Sequence, residues 1–136
     1  MSRNLSFIPQ PRKLPHANET FTLKLRESGF GTKAFFTGLR DGYILKWKNG
    51  EVSKKFNTGS ITPLIKRHGV NLVVAALDKL FILTTSLEIK KELRSVEGRP
   101  LSLDVSSKFI AYGTWKNEVA FYEVSGSSEP TVSSYL

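Results

Sequence analysis

The sequence predicts an all-β protein assembled from repeated antiparallel four-stranded meanders. Three observations carry that expectation. Asp41-Gly42 and Asn49-Gly50, dipeptides that tolerate positive φ and close hairpins, sit between β-branched and aromatic runs. Two glycine-bearing turns within ten residues leave no three-to-four apolar spacing on which a helix could form. The pattern of Ala34 to Phe56 then recurs twice downstream.

Taken in order, residues 1–18 hold Pro9, Pro11 and Pro15 with Arg3, Arg12 and Lys13. Proline removes backbone donors and disfavours helix, so this is read as a basic extended arm. Within it, Leu5 to Ile8 could add as a strand to a sheet edge. Phe21, Leu23 and Leu25 alternate with polar residues in a half-buried strand, before a Ser28-Gly29-Phe30-Gly31 turn. Ala34 to Gly38, Tyr43 to Trp47 and Val52 to Phe56 complete the first unit. The second runs through Ile61 to Lys66, where Pro63 marks an edge or bulge, then Leu72 to Ala76, Leu80 to Thr84 and Leu87 to Leu93. The third runs through Pro100 to Val105, Phe109 to Gly113, Val119 to Val124 and Thr131 to Leu136.

Ile44, Phe81 and Ala120 align as third-strand positions, at spacings of 37 and 39 residues. A repeat of about 40 residues with four short strands is the arithmetic of a propeller blade. In each unit the third strand is apolar and the fourth polar, as expected where blades bury inner strands and expose the outer one. The expected architecture is a partial β-propeller of about three blades, near 20–57, 58–97 and 98–136. A propeller typically closes with about four to eight blades. The array is therefore expected to be part of a larger ring, or to pair with another copy or with a partner that supplies blades.

The chain resembles the WD40-repeat β-propeller family through Thr37-Gly38, Asp41 to Trp47, Phe109 to Gly113 and Val119 to Glu123. The resemblance spans about residues 20–136. It departs from the family pattern in lacking the Trp-Asp pair, since Lys48 comes after Trp47, and the Gly-His pair. Without those residues the polar network that braces many blades is in question. Leu72 to Ser127 is most similar to the blades of the actin-interacting protein 1 group, through VVAALDKLFIL, PLSLDVSSKFIAYG and VAFYEVSG. That likeness implies an actin-filament partner, acting with cofilin, and a cytoplasmic, cytoskeletal setting. The first unit is equally similar to echinoderm microtubule-associated protein-like propellers and to strictosidine-synthase-like propellers. These imply a microtubule partner or a small-molecule site instead.

Composition narrows the chemistry. No apolar run approaches the roughly 18 residues of a membrane span, so a soluble chain without a membrane partner is expected. MSRNLSFIPQPRKLPH has no apolar signal-like core. The absence of cysteine excludes disulfides, thiolate metal sites and a cysteine nucleophile, and fits a reducing compartment. Lys+Arg 20 against Asp+Glu 12, a formal +8, favours acidic partners, with nucleic acid among them, although the basic residues are scattered in pairs.

Candidate reacting groups are few. His16 lies in the proline arm and His68 in a turn, while Asp41, Asp78 and Glu118 stand in the turns before third strands. Capping of their own turns is the ordinary role for such carboxylates. The sequence is therefore read as non-enzymatic, with no catalytic, cofactor or metal residues. The contact candidates are Arg40, Trp115 and Lys116, because Trp and Arg dominate protein-contact hot spots.

Overall fold

The computed structural model describes residues 20–26 and 33–135 of the chain. The proline arm, its Leu5 to Ile8 segment, His16 and the Ser28 to Gly31 turn lie outside the described residues. Twelve strands form three four-stranded antiparallel sheets among those residues. The first blade holds β1 (Thr20–Arg26), β2 (Lys33–Leu39), β3 (Tyr43–Lys48) and β4 (Glu51–Asn57). The second holds β5 (Leu64–His68), β6 (Asn71–Ala75), β7 (Leu80–Thr84) and β8 (Ile89–Leu93). The third holds β9 (Pro100–Val105), β10 (Phe109–Thr114), β11 (Glu118–Glu123) and β12 (Thr131–Ser134). Each sheet is ordered as in the sequence, so every blade is a simple meander. No helix among the described residues is long and apolar enough to cross a membrane.

The hairpin dipeptides do what their chemistry demands: Gly42, Asn49 and Gly50 all take positive φ. The blades meet along their first strands, β1 with β5 and β5 with β9, and stack face to face beyond them. Two cores result. Between the first and second blades, Ala34, Phe36 and Ile44 meet Ile65, Leu72, Val74, Phe81, Leu83 and Leu87, and Phe56 packs edge-on to Phe81 at 5.4 Å. Between the second and third, Val73, Ala75, Leu80 and Ile82 meet Leu103, Ile110, Tyr112, Ala120 and Tyr122. Strands β6 and β7 thus feed alternate residues into both cores, which explains their continuous apolar runs. The outer strand β4 is exposed except at the half-buried Phe56.

Several details depart from the sequence reading. Ile44 is not the counterpart of Phe81. Ile44 pairs with Gly38 and points forward to the second blade, whereas Phe81 points back to the first and shares a core with Ile44. The forward-facing counterparts in register are Ile44, Leu80 and Val119, each opposite a small residue, Gly38, Ala75 or Gly113. A one-residue slip in alignment moves a side chain to the opposite face. Pro63 lies just before the first strand of its blade, not on a sheet edge or bulge, and is fully buried. A Cβ on Gly38 would stand 2.9 Å from the Pro63 carbonyl oxygen, so that contact requires glycine. Strand β8 starts at Ile89 because Leu87 takes φ +60 in the preceding turn. His68 ends β5, with a ring nitrogen 3.0 Å from the Ser107 carbonyl.

Lys46 is nearly buried on the forward face of β3, at the register point that Ile82 and Phe121 occupy in the other blades. Its ammonium lies 5.8 Å from the centre of the Phe36 ring, and its aliphatic stem covers apolar surface.

Phe81 bridges two blades, so Phe81→Ala is expected to lower unfolding stability by about 3–5 kcal/mol. Val70→Ala, at an exposed turn position, should stay within about 0.5 kcal/mol. Urea denaturation of the two variants makes the comparison.

Candidate functional site

The turns joining second to third strands all emerge on one rim of the array: Arg40–Gly42, Ala76–Lys79 and Trp115–Asn117. They are held from behind by the segments that run from one blade to the next. In the first blade, the Gly42 carbonyl accepts the Thr58 amide (3.0 Å) and the buried Thr58 hydroxyl (2.7 Å). The same hydroxyl accepts the Ser60 amide at 3.2 Å, and the Arg40 carbonyl accepts the Thr62 amide at 3.0 Å. Gly42 has φ +103, and a Cβ there would fall 1.9 Å from the Ser60 carbonyl oxygen. Only glycine fits. Thr62 itself has φ +48, unusual for a β-branched residue, and its buried hydroxyl finds no hydrogen-bond partner among the described residues.

The other two turns repeat this fastening. The Leu77 amide donates to the Ile61 carbonyl (3.1 Å) and the Asp78 amide to the Ser60 hydroxyl (3.1 Å). In the third blade, the Trp115 amide donates to the Arg99 carbonyl (3.1 Å) and the Lys116 amide to the Thr114 hydroxyl (3.2 Å). Lys116 Nζ lies 3.3 Å from a Glu97 carboxylate oxygen. Behind this last turn, Tyr122 donates to the Arg94 carbonyl at 2.5 Å, and the Val96 amide donates to the Tyr112 hydroxyl at 2.9 Å. The two tyrosine rings stack with centroids 6.1 Å apart. Burial raises the Tyr122 phenol well above its ordinary pKa, and the Tyr112 hydroxyl beside it adds to the shift.

The rim backbone is therefore pinned while its side chains face outward. Trp115 is 66% exposed. Trp115 and Lys116 are adjacent, and Arg40 is exposed on the equivalent turn two blades away. The structure thus sets the three contact candidates on one rim in two groups, with the second blade between them. Ile61 and Leu77 stand there, 48% and 36% exposed and joined through their backbones. Sequence reasoning places Ile61 in a strand that in fact begins after Pro63, and it places Leu77 in a turn without marking it as a contact residue. Trp47 is half-buried on the rear face of the first blade and donates to the Thr37 hydroxyl at 3.0 Å. Asp41 accepts the Tyr43 amide of its own turn at 3.3 Å. Asp41 and Asp78 stand in the rim turns, whereas Glu118 opens strand β11 instead of standing in its turn, and no group of three or more His, Asp or Glu able to hold a metal occurs among the described residues.

Known structures share this arrangement. No family model matches the chain, and no curated protein matches it. BBS1N, solved in complex with ARL6DN, superposes with a TM-score of 0.65 at 20% identity, over 84% of this chain and 37% of its own. Raptor from Chaetomium thermophilum gives 0.69 at 13% identity, over 87% and 13%. The computationally designed Ika8 protein gives 0.66 at 12% identity, over 74% and 33%. The fold is of β-propeller type. The chain spans about a third of Ika8 and BBS1N and a smaller part of Raptor, and at these identities the likeness concerns the fold alone.

Gly42→Ala is expected to cost at least about 2 kcal/mol of stability, since it combines backbone strain with a carbonyl clash. A chemical denaturation midpoint reads this directly. Tyr122 gives a pH signature. Above pH about 10 the unfolded chain releases a phenolic proton that folded Tyr122 retains, so stability present below that pH is lost as pH rises. Tyr122→Phe should flatten this alkaline loss in melts between pH 8 and 11. At neutral pH it should cost about 1–3 kcal/mol, because the Arg94 carbonyl loses its donor.

Proposed function

We propose that the chain is a non-enzymatic WD40-type protein-interaction scaffold whose rim, carrying Arg40, Trp115 and Lys116, is the contact surface. The observation that carries this reading is the exposure of Trp115 on a turn whose backbone is tied to Arg99. A large aromatic held rigidly in water, with cationic neighbours, is the composition of a binding hot spot. The blade faces of the two internal junctions are consumed by packing, which leaves turns to do the recognising. The use of this fold in BBS1N, solved in complex with ARL6DN, is consistent with that role.

The partner class comes from the resemblance to the actin-interacting protein 1 group and from net charge: an acidic filament, actin with cofilin, in the cytoplasm. Co-sedimentation with actin filaments, with and without cofilin, tests it. The expected outcome is binding that Trp115→Ala weakens by roughly tenfold or more and that Lys116→Glu also weakens. Absence of binding to filaments in both conditions rejects the actin assignment.

A second reading rests on a different surface. Lys54 and Lys55 on β4 and Lys90 on β8 are exposed on consecutive outer strands. Such a belt suits a polyanion such as RNA. Binding by phosphate neutralisation must fall steeply with salt and be indifferent to Trp115.

A further inference from the structure

We propose that the outer edge of the first blade, strand β4, takes up an extended acidic peptide as a fifth strand of that sheet. The inference rests on sheet topology and charge, and not on the rim reading.

Each meander ends in a strand that pairs on one side only, so among the described residues β4, β8 and β12 all leave backbone N–H and C=O groups on a free edge. The three edges differ in length and in charge. Strand β12 has four residues, none of them charged. Strand β8 has five, and two of its charges are engaged: Lys91 donates to the Gly126 carbonyl at 3.1 Å, and Glu92 lies 3.9 Å from Lys79. Strand β4 has seven residues and is exposed everywhere but at Phe56. Its Lys54 and Lys55 join no ion pair among the described residues.

Register fixes what this edge displays. Ser53 is the extra residue of a bulge opposite Lys46 and Trp47. Lys54, Lys55, Phe56 and Asn57 then run in unbroken register with Lys46, Leu45, Ile44 and Tyr43. Lys54 and Phe56 lie on the forward side with Ile44, and Lys55 lies on the rear side. Each face of the edge therefore carries one ammonium group. Pairing this edge with its own counterpart in a second copy, centred on the lysines, would set like charges opposite one another, which is unfavourable. A strand with two consecutive carboxylates instead meets one lysine on each face. An apolar residue next to that acidic pair then falls beside Phe56. Main-chain hydrogen bonds supply the affinity, and the two charges select the occupant and reject self-pairing.

Titration of the isotopically labelled 136-residue chain with acetyl-Ser-Thr-Val-Glu-Glu-Val-Thr-Ser-amide, followed through backbone amide NMR shifts, tests the proposal. Saturable shifts centred on β4 are expected. The double variant Lys54→Glu, Lys55→Glu should bind roughly tenfold more weakly or worse. Both lysines are exposed, so it should keep the parent's cooperative melt. A peptide with Lys-Lys in place of Glu-Glu should bind this variant and not the parent. N-methylation of alternate peptide amides gives two further probes, with the methyl groups turned toward β4 in one and away from it in the other. One of the two should fail to bind, and the other should bind as the unmodified peptide does. Trp115→Ala should leave binding unchanged, which separates this inference from the rim reading. Absence of saturable binding up to about 1 mM peptide overturns the proposal. So do shifts centred on β8 or β12. Binding that both N-methylated probes retain also overturns it, since that is the behaviour of a purely electrostatic surface, as the RNA reading requires.

Discussion

The structure depends on one constraint: a four-stranded meander has two faces, and water must be kept from both. A single blade has nothing to bury them against. The second blade shows the solution, with adjacent residues serving different cores. Val74, Phe81 and Leu83 turn toward the first blade, and Val73, Leu80 and Ile82 turn toward the third. Small residues opposite the forward aliphatics, Gly38 and Ala75, make room for the next sheet to approach.

Much of this is legible in the residues because strand pairing and tight turns are local. Asp41-Gly42 and Asn49-Gly50 announce hairpins, and the apolar runs at Leu72 and Leu80 announce strands covered on both sides. Hidden from the sequence is whatever depends on the neighbouring blade. The alignment of Ile44 with Phe81 fails by one residue because nothing in either strand reveals which face meets which neighbour. Pro63 misleads in the same way. It packs against the β2 backbone at Gly38, about 25 residues away in sequence, and only the register between two blades brings the two together.

The rim is partly legible. Trp115 and Lys116 fall in a turn between two clear strands, so their exposure comes from the hairpin itself. Ile61 escapes notice because it reads as the start of a strand, and Leu77, which reads as part of a turn, is brought beside it only by a backbone contact between segments 16 residues apart. The turns and connecting segments are braced by groups scattered along the chain. The Thr58 hydroxyl secures the first turn, and Tyr112 with Tyr122 secures the segment entering the third blade. No short motif encodes these contacts, since partners such as Thr58 and Gly42 are 16 residues apart.

Because each sheet is made wholly from consecutive strands, no blade waits for a distant part of the chain to complete it. Hairpins can therefore zip in the order in which they leave the ribosome, each new sheet condensing on the one already formed. Loop-closure entropy is small at every such step, which places this chain on the faster side of all-β folding.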